Sequence, residues 1–184
     1  MGLFRTIKES SGSSRIAALA PILLMLSVGD TSAASAPAQL YNKSITVNWG
    51  ESGVYRRISD GVNTSPVGQF QRVYYISSAG RIFVRGKSTT GRYGGTKEAG
   101  PEQNAGNVSF SGNTLVNFGE NLGVVRRIVS TFDANFSSCS STVTIGKSGA
   151  SAKIKGFDGA EYEIISMQAG SSSCSISSGN ALAN

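Results

Sequence analysis

The sequence predicts an all-β fold, an antiparallel β-sandwich or small β-barrel of about ten short strands. Three observations support this. Short segments alternate apolar and polar residues, which is the period of a strand with one buried face. Turns rich in Gly, Ser and Asn separate these segments. No window after the amino-terminal leader has the spacing of an amphipathic helix.

The leader, residues 1–34, is predicted to be a signal peptide. Arg5, Lys8 and Arg15 precede the uncharged apolar run Ile16–Val28, and the small residues Thr31–Ala38 follow it. Cleavage is expected between positions 34 and 38. The apolar run is shorter than the roughly 20 residues of a membrane span, and no other long apolar stretch follows it, so we expect no transmembrane segment in the mature chain. The protein is then exported, to the periplasm or the cell exterior.

The mature chain, residues 39–184, has about 150 residues, the size of a single domain with its own core. The leader holds three of the 17 basic and two of the 11 acidic residues. The remaining 14 basic and 9 acidic residues give a net charge of +5. This balance favours weak attraction to polyanions. Export argues against nucleic acid as the partner.

The chain has two cysteines, Cys139 and Cys174, and both lie in the exported part. In an oxidising compartment an even count predicts a disulfide. It would close a 36-residue loop and contribute about 4 kcal/mol on the chain-entropy model. Free thiols or a metal pair are the alternative, but the chain contains no histidine to complete a zinc site. The absence of histidine also removes the usual general base, so we expect no metal, no cofactor and no enzyme activity.

One segment of the mature chain occurs twice. Val47–Ile58 (VNWGESGVYRRI) matches Val116–Ile128 (VNFGENLGVVRRI), which carries one extra residue. Each copy is predicted to be a β-hairpin, with Gly-Glu-Ser-Gly as the turn of the first copy. The match indicates either a duplicated half-domain or two hairpins with similar turns.

Each copy ends in an arginine pair, Arg56-Arg57 and Arg126-Arg127. Adjacent strand residues point to opposite faces, so one arginine of each pair should face the apolar side. Two interpretations stay open. The arginines protect strand ends or edges against pairing with other strands, or both hairpins bring them to one anion-binding surface.

The other segments complete the predicted order. Asp60–Gly68 and residues 88–106 are predicted loops, and the second is long, polar and glycine-rich, hence flexible. If the second loop binds a ligand, Arg92 and Tyr93 are its most suitable side chains. Asp158-Gly159 is a strong hairpin signal. The predicted strands are Gln69–Ser77, Arg81–Lys87, Asn107–Phe110, Thr114–Phe118, Val124–Phe136 (bent or double), Thr142–Gly146, Ser151–Phe157, Ala160–Met167 and Cys174–Ser177.

Three functions fit these residues. The first is a non-catalytic binding or envelope-associated module for an anionic glycan or a lipid head group, contacted by the four paired arginines. The second is a structural subunit that pairs with another envelope protein through strand edges. The third is a hydrolase that uses two carboxylates, either the matched Glu51 and Glu120 or members of the group Asp158, Glu161 and Glu163.

Overall fold

The computed structural model describes residues 36–87, 97–98, 107–121, 123–149, 152–156 and 158–183. The predicted signal peptide therefore lies outside the described residues, as do Arg92 and Tyr93. After a short 3₁₀ turn at Ala38–Leu40, the described chain forms eleven strands. They are β1 (Lys43–Arg57), β2 (Asn63–Thr64), β3 (Val67–Ile76), β4 (Ile82–Lys87), β5 (Lys97–Glu98), β6 (Asn107–Ser111), β7 (Thr114–Asn121), β8 (Val124–Phe132), β9 (Cys139–Lys147), β10 (Lys153–Lys155) and β11 (Glu161–Ser178).

The strands form two antiparallel sheets, which confirms the predicted all-β class. The first sheet has the order β10-β11-β1-β3-β4-β5, with β2 paired to β1. The second has the order β6-β7-β8-β9. Both sheets contribute to one hydrophobic cluster. Its most buried members from the first sheet are Ile45, Val47, Trp49, Tyr74 and Ile76, and those from the second are Leu115, Ile128 and Phe132.

The two sheets are joined along β9 and β11, where side chains connect strands that share no backbone pairing. The predicted disulfide Cys139–Cys174 is confirmed here, with the two Cα atoms 5.5 Å apart. Beside it, the Ser172 hydroxyl donates a hydrogen bond to the Ser141 carbonyl oxygen at 2.5 Å. We call this junction the seam. It fixes one side of the inter-sheet layer covalently.

The expectation that all strands are short was wrong, as was the turn predicted in the first copy. Strand β1 runs for 15 residues straight through Gly50-Glu51-Ser52-Gly53. These glycines lie in extended backbone and permit close approach instead of a turn. A Cβ on Gly53 would come within 2.6 Å of the Ser166 carbonyl oxygen, and Gly170 faces Gly50 across the strand pair. Two irregularities in the β1–β11 register accommodate this contact.

The second copy does form a hairpin, made of β7 and β8. Asn121 pairs with Val124, and Gly123 adopts φ +72°, a conformation that favours glycine. The turn therefore lies one step after Gly119-Glu120, where the second copy carries its extra residue. Nearly identical sequences thus continue a strand in one case and reverse the chain in the other.

The two copies also present opposite faces to the core. In β1, Trp49 is 2% exposed, whereas its match Phe118 in β7 is 42% exposed. Asn48 is exposed and Asn117 is buried. Because side chains alternate with a period of two, the phase is decided by the neighbouring residues. In β7 the buried Leu115 occupies the position at which β1 carries Thr46. The core-facing side of β7 therefore starts one position earlier in the matched segment and includes Asn117.

The other predicted segments agree with the observed strands only in part. The Asp158-Gly159 hairpin connects β10 to β11, with Gly159 at φ +81°. The predicted strands Ala160–Met167 and Cys174–Ser177 are parts of the single 18-residue β11. Two segments predicted as loops contain short strands, β2 within Asp60–Gly68 and β5 within residues 88–106. These strands were missed because two-residue pairings leave no periodic signal.

We expect Gly53→Ala to destabilise the fold by about 1–3 kcal/mol, because the added methyl group would meet backbone that cannot rotate away. Gly146→Ala in β9 is the matched control, since a Cβ there has no heavy atom within 4 Å. Urea unfolding of both variants measures the difference. An equal change in both would show that β11 can move away from β1.

Replacing both cysteines with serine should lower the free energy of unfolding by about 4 kcal/mol at most, because the 36-residue loop is no longer closed in the unfolded chain. Thermal unfolding with and without dithiothreitol tests this. The reductant should lower the Tm of the wild type to that of the double variant and leave the double variant unchanged.

Candidate functional site

A buried ion pair, Glu51 with Arg126, connects the two sheets. The Glu51 side chain is 4% exposed and the Arg126 side chain is 17% exposed. Arg126 donates through Nε to Oε1 at 2.6 Å and through Nη2 to Oε2 at 2.8 Å, which is the bidentate geometry of a strong charge-assisted pair. The glutamate belongs to the first copy of the repeated segment and the arginine to the second.

Aromatic side chains surround this pair. The Trp49 indole donates to Glu51 Oε1 at 2.7 Å, so the carboxylate accepts three hydrogen bonds. The Arg126 guanidinium carbon lies 5.3 Å from the Phe70 ring centroid, and that ring stacks on Trp49 at 5.8 Å. Burial and the nearby Glu51 carboxylate raise the pKa of Tyr55, whereas Arg126 lowers it. This arrangement satisfies both charges internally and offers neither to a ligand.

The alternation of side chains in β1 and β8 explains why this charged pair is buried. In β1 the residues Ile45, Val47 and Trp49 face the core, so a continuous strand brings Glu51 to the same face. In β8 the buried Val124 and Ile128 flank Arg126 in the same way. The sequence predicted opposite faces for adjacent arginines but did not predict that Glu51 is buried, because its Gly-Glu-Ser-Gly context was interpreted as a turn.

The first arginine pair lies elsewhere and is also neutralised. Arg56 forms an exposed ion pair with Glu163 of β11. Arg57 donates to Asp60 at 3.1 Å, and its guanidinium lies 6.0 Å from the Tyr162 ring centroid. Three of the four arginines named from the sequence therefore have a carboxylate partner among the described residues.

Arg127 differs from the other three. Its side chain is exposed on the outer face of the second sheet, and it has no ion pair with a described residue. In the register it lies opposite Phe118 of β7 and Thr144 of β9, while Phe118 lies opposite Asn107 of β6. All four side chains are exposed. We call these four residues the outer row.

The outer row crosses all four strands of the second sheet. With adjacent strands about 4.8 Å apart, it extends about 14 Å from Asn107 to Thr144. It combines a guanidinium, an aromatic ring, an amide and a hydroxyl on one face of the sheet. These are the polar and aromatic groups that orient a ligand in a binding site. Sequence patterns did not reveal the row because its four members lie on four different strands.

Two of the carboxylates considered for hydrolysis, Asp158 and Glu163, already have side-chain partners of their own. Asp158 accepts a hydrogen bond from the Tyr162 hydroxyl at 2.7 Å, which lowers its pKa. Arg56 likewise lowers the pKa of Glu163. Tyr162 and Glu163 are consecutive strand residues and face opposite sides of β11. A general acid needs a raised pKa, so both shifts have the wrong direction for that role.

The described part of the chain offers neither a cluster of metal ligands nor a membrane-spanning helix. No group of three or more His, Cys, Asp or Glu side chains there could hold a metal ion. No helix within that part is long and apolar enough to cross a membrane.

Comparison with known proteins gives no family for this chain. It matches no protein-family model, and no curated protein or solved structure matches it significantly.

We expect Glu51→Gln or Arg126→Gln to lower the free energy of unfolding by about 3–5 kcal/mol, because each change leaves a buried charge without its counter-charge. The double variant Glu51→Gln with Arg126→Gln should lose less than the sum of the two single losses, since neither charge remains. Glu163→Gln is the surface control and should cost far less, because its ion pair with Arg56 is exposed to water. Chemical unfolding of the complete double-mutant cycle checks this. Additive single losses would contradict direct coupling.

Proposed function

We propose that this protein is an exported, non-catalytic binding module for an anionic glycan, with the outer row as its binding surface. The observation that carries the proposal is Arg127, an exposed guanidinium without a carboxylate partner in the described chain. A free guanidinium forms bidentate hydrogen bonds with a carboxylate or sulfate group. The disulfide at the seam supports export to an oxidising compartment, the periplasm or the cell exterior.

The neighbour of Arg127 supports a sugar as the carrier of that anionic group. Phe118 leaves 42% of its surface exposed directly across from the arginine, although a ring of this size is usually buried. An exposed ring offers an apolar face to the C–H face of a pyranose. Asn107 and Thr144 add hydrogen-bonding groups at the two ends of the row.

A membrane surface fits this face less well than a glycan. Recognition of anionic lipids commonly uses clusters of about four to eight basic residues. On the outer face of the second sheet, the described strands carry Arg127 together with an acidic residue, Glu120. One exposed cation beside an anion suits a single carboxylate or sulfate better than a continuous layer of head groups.

The strand-edge subunit stays a prediction, and one observation bears on it. The edges of β9 and β11 lie side by side at the seam, bridged by the disulfide and by the Ser172 hydroxyl. A partner strand added there would have to separate these bridged strands. This feature supports the glycan module over the strand-edge subunit.

Arg127→Gln should weaken binding to immobilised polyuronate or sulfated polysaccharide by about tenfold or more, because a charge-assisted hydrogen bond contributes about 1.5–3 kcal/mol. Phe118→Ala should weaken it as well. Arg56→Gln is the matched control, since it removes the same charge from an exposed arginine that Glu163 already neutralises.

Isothermal titration with a soluble uronate oligosaccharide, a neutral oligosaccharide and anionic vesicles separates the ligand classes. The proposal expects binding of the uronate alone. Equal losses in Arg127→Gln and Arg56→Gln would mean that only net charge matters, and would overturn it. Binding of the vesicles but not of the oligosaccharide would point to a lipid instead.

A further inference from the structure

The second sheet has one open edge, which is formed by β6. This strand stands at the end of the order β6-β7-β8-β9 and pairs only with β7. Within the described chain, no hydrogen bond joins β6 to a residue outside β7. The opposite edge of the same sheet is β9, which lies at the seam and is bridged to β11. A further strand can therefore join this sheet at β6 without disturbing the seam.

The hairpin formed by β6 and β7 determines which backbone groups lie on the open edge. Ser111 is the last β6 residue before the two-residue turn Gly112-Asn113, and the residue pair that flanks such a turn exchanges both of its hydrogen bonds. Hydrogen-bonded and non-hydrogen-bonded pairs then alternate along the ladder. The N–H and C=O groups of Ser109 therefore point toward β7. Those of Val108 and Phe110 point away from β7, to the open edge.

The side chains of β6 give this edge no protection. Val108 and Phe110 are half-buried and pack against the inter-sheet core, whereas Asn107, Ser109 and Ser111 are exposed on the outer face. The strand has no charged residue and no proline, and its register with β7 is regular. Charged side chains, proline and bulges are the features by which edge strands avoid pairing with other strands. Strand β6 has none of them.

The strands at the two ends of the first sheet are protected. Strand β10 carries Lys153 and Lys155 among its three residues. Strand β5 consists of two residues, Lys97 and Glu98, and both are charged. Short length and lysine side chains both oppose the addition of another strand. Among these sheet ends, β6 is therefore the one suited to accept a partner strand.

We infer that β6 is a self-association surface, through which two copies of this chain pair antiparallel and join their four-stranded sheets into one continuous sheet. In the register centred on Ser109, Val108 of each copy lies opposite Phe110 of the other. The backbone groups of both residues point to the interface, so the two pairs form about four hydrogen bonds. A register shifted by one residue would place groups opposite each other that point away from the interface.

The side chains of the two copies are complementary in the same register. On the inner face, Val108 of one copy meets Phe110 of the other, so apolar groups that pack against each core come together. On the outer face, Asn107 meets Ser111, and Ser109 meets its own equivalent. No like charges oppose each other, because β6 carries no charge. This self-complementarity favours a second copy over an unrelated strand as the partner.

Cysteine cross-linking of the whole chain tests the register. Non-hydrogen-bonded antiparallel pairs place their Cα atoms about 4.5 Å apart, a distance that a disulfide spans. Ser109→Cys should therefore give a covalent dimer on mild oxidation, seen on a non-reducing gel. Ser111→Cys is the matched control on the same strand and face, because its two copies would lie about 14 Å apart and should not cross-link. No dimer with Ser109→Cys, or equal dimer with both variants, would overturn the inference.

Sedimentation equilibrium over a wide range of concentration gives an independent test. Ser109→Lys and Ser109→Glu should each weaken self-association by about tenfold or more, because each opposes two like charges. An equimolar mixture of the two should recover association, since opposite charges then meet. Ser140→Lys, which adds the same charge to the same face of β9, should associate like the wild type, and so should Arg127→Gln, which separates this surface from the outer row. A monomeric wild type, or a mixture that does not recover, would contradict the inference.

Discussion

The ion pair between Glu51 and Arg126 is the constraint on which the rest of this structure depends. Two opposite charges with little access to water must meet in good geometry, because either one alone would be strongly unfavourable in the core. Their contact fixes how β8 lies across β1, and therefore where both inner faces meet. A buried pair of this kind contributes more to a unique register than to net stability, since apolar residues could fill the same space. The aromatic side chains packed around the ion pair restrict the positions of its two side chains.

The same constraint separates the arginines by role. Arg126 forms the buried ion pair, Arg56 and Arg57 pair with carboxylates at the surface, and Arg127 faces outward. That division follows from a period-two alternation in which adjacent residues cannot share a face. The buried charge of Arg126 and the exposed charge of Arg127 thus come from consecutive residues of one strand.

The fold class, the disulfide and the Asp158-Gly159 hairpin were predictable, because each depends on a local pattern or a simple count. The path of β1 was not. Its glycines allow both a turn and a close strand contact, and only the neighbouring strand β11 decides between them. The same applies to the surface sites. Arg127 was a candidate from the start, but its relation to Phe118 depends on cross-strand register, which no stretch of sequence contains.

The strand order has a consequence for synthesis. Strand β1 is central in its sheet, yet one of its two neighbours, β11, is the last strand of the described chain. While the chain is being synthesised, one edge of β1 has no complete pairing partner until β11 has emerged. Completion of this sheet is therefore a late event, and because Cys174 lies in β11, it cannot be joined to Cys139 before that strand has emerged. A chain of this topology depends on being kept from premature association until β11 has emerged.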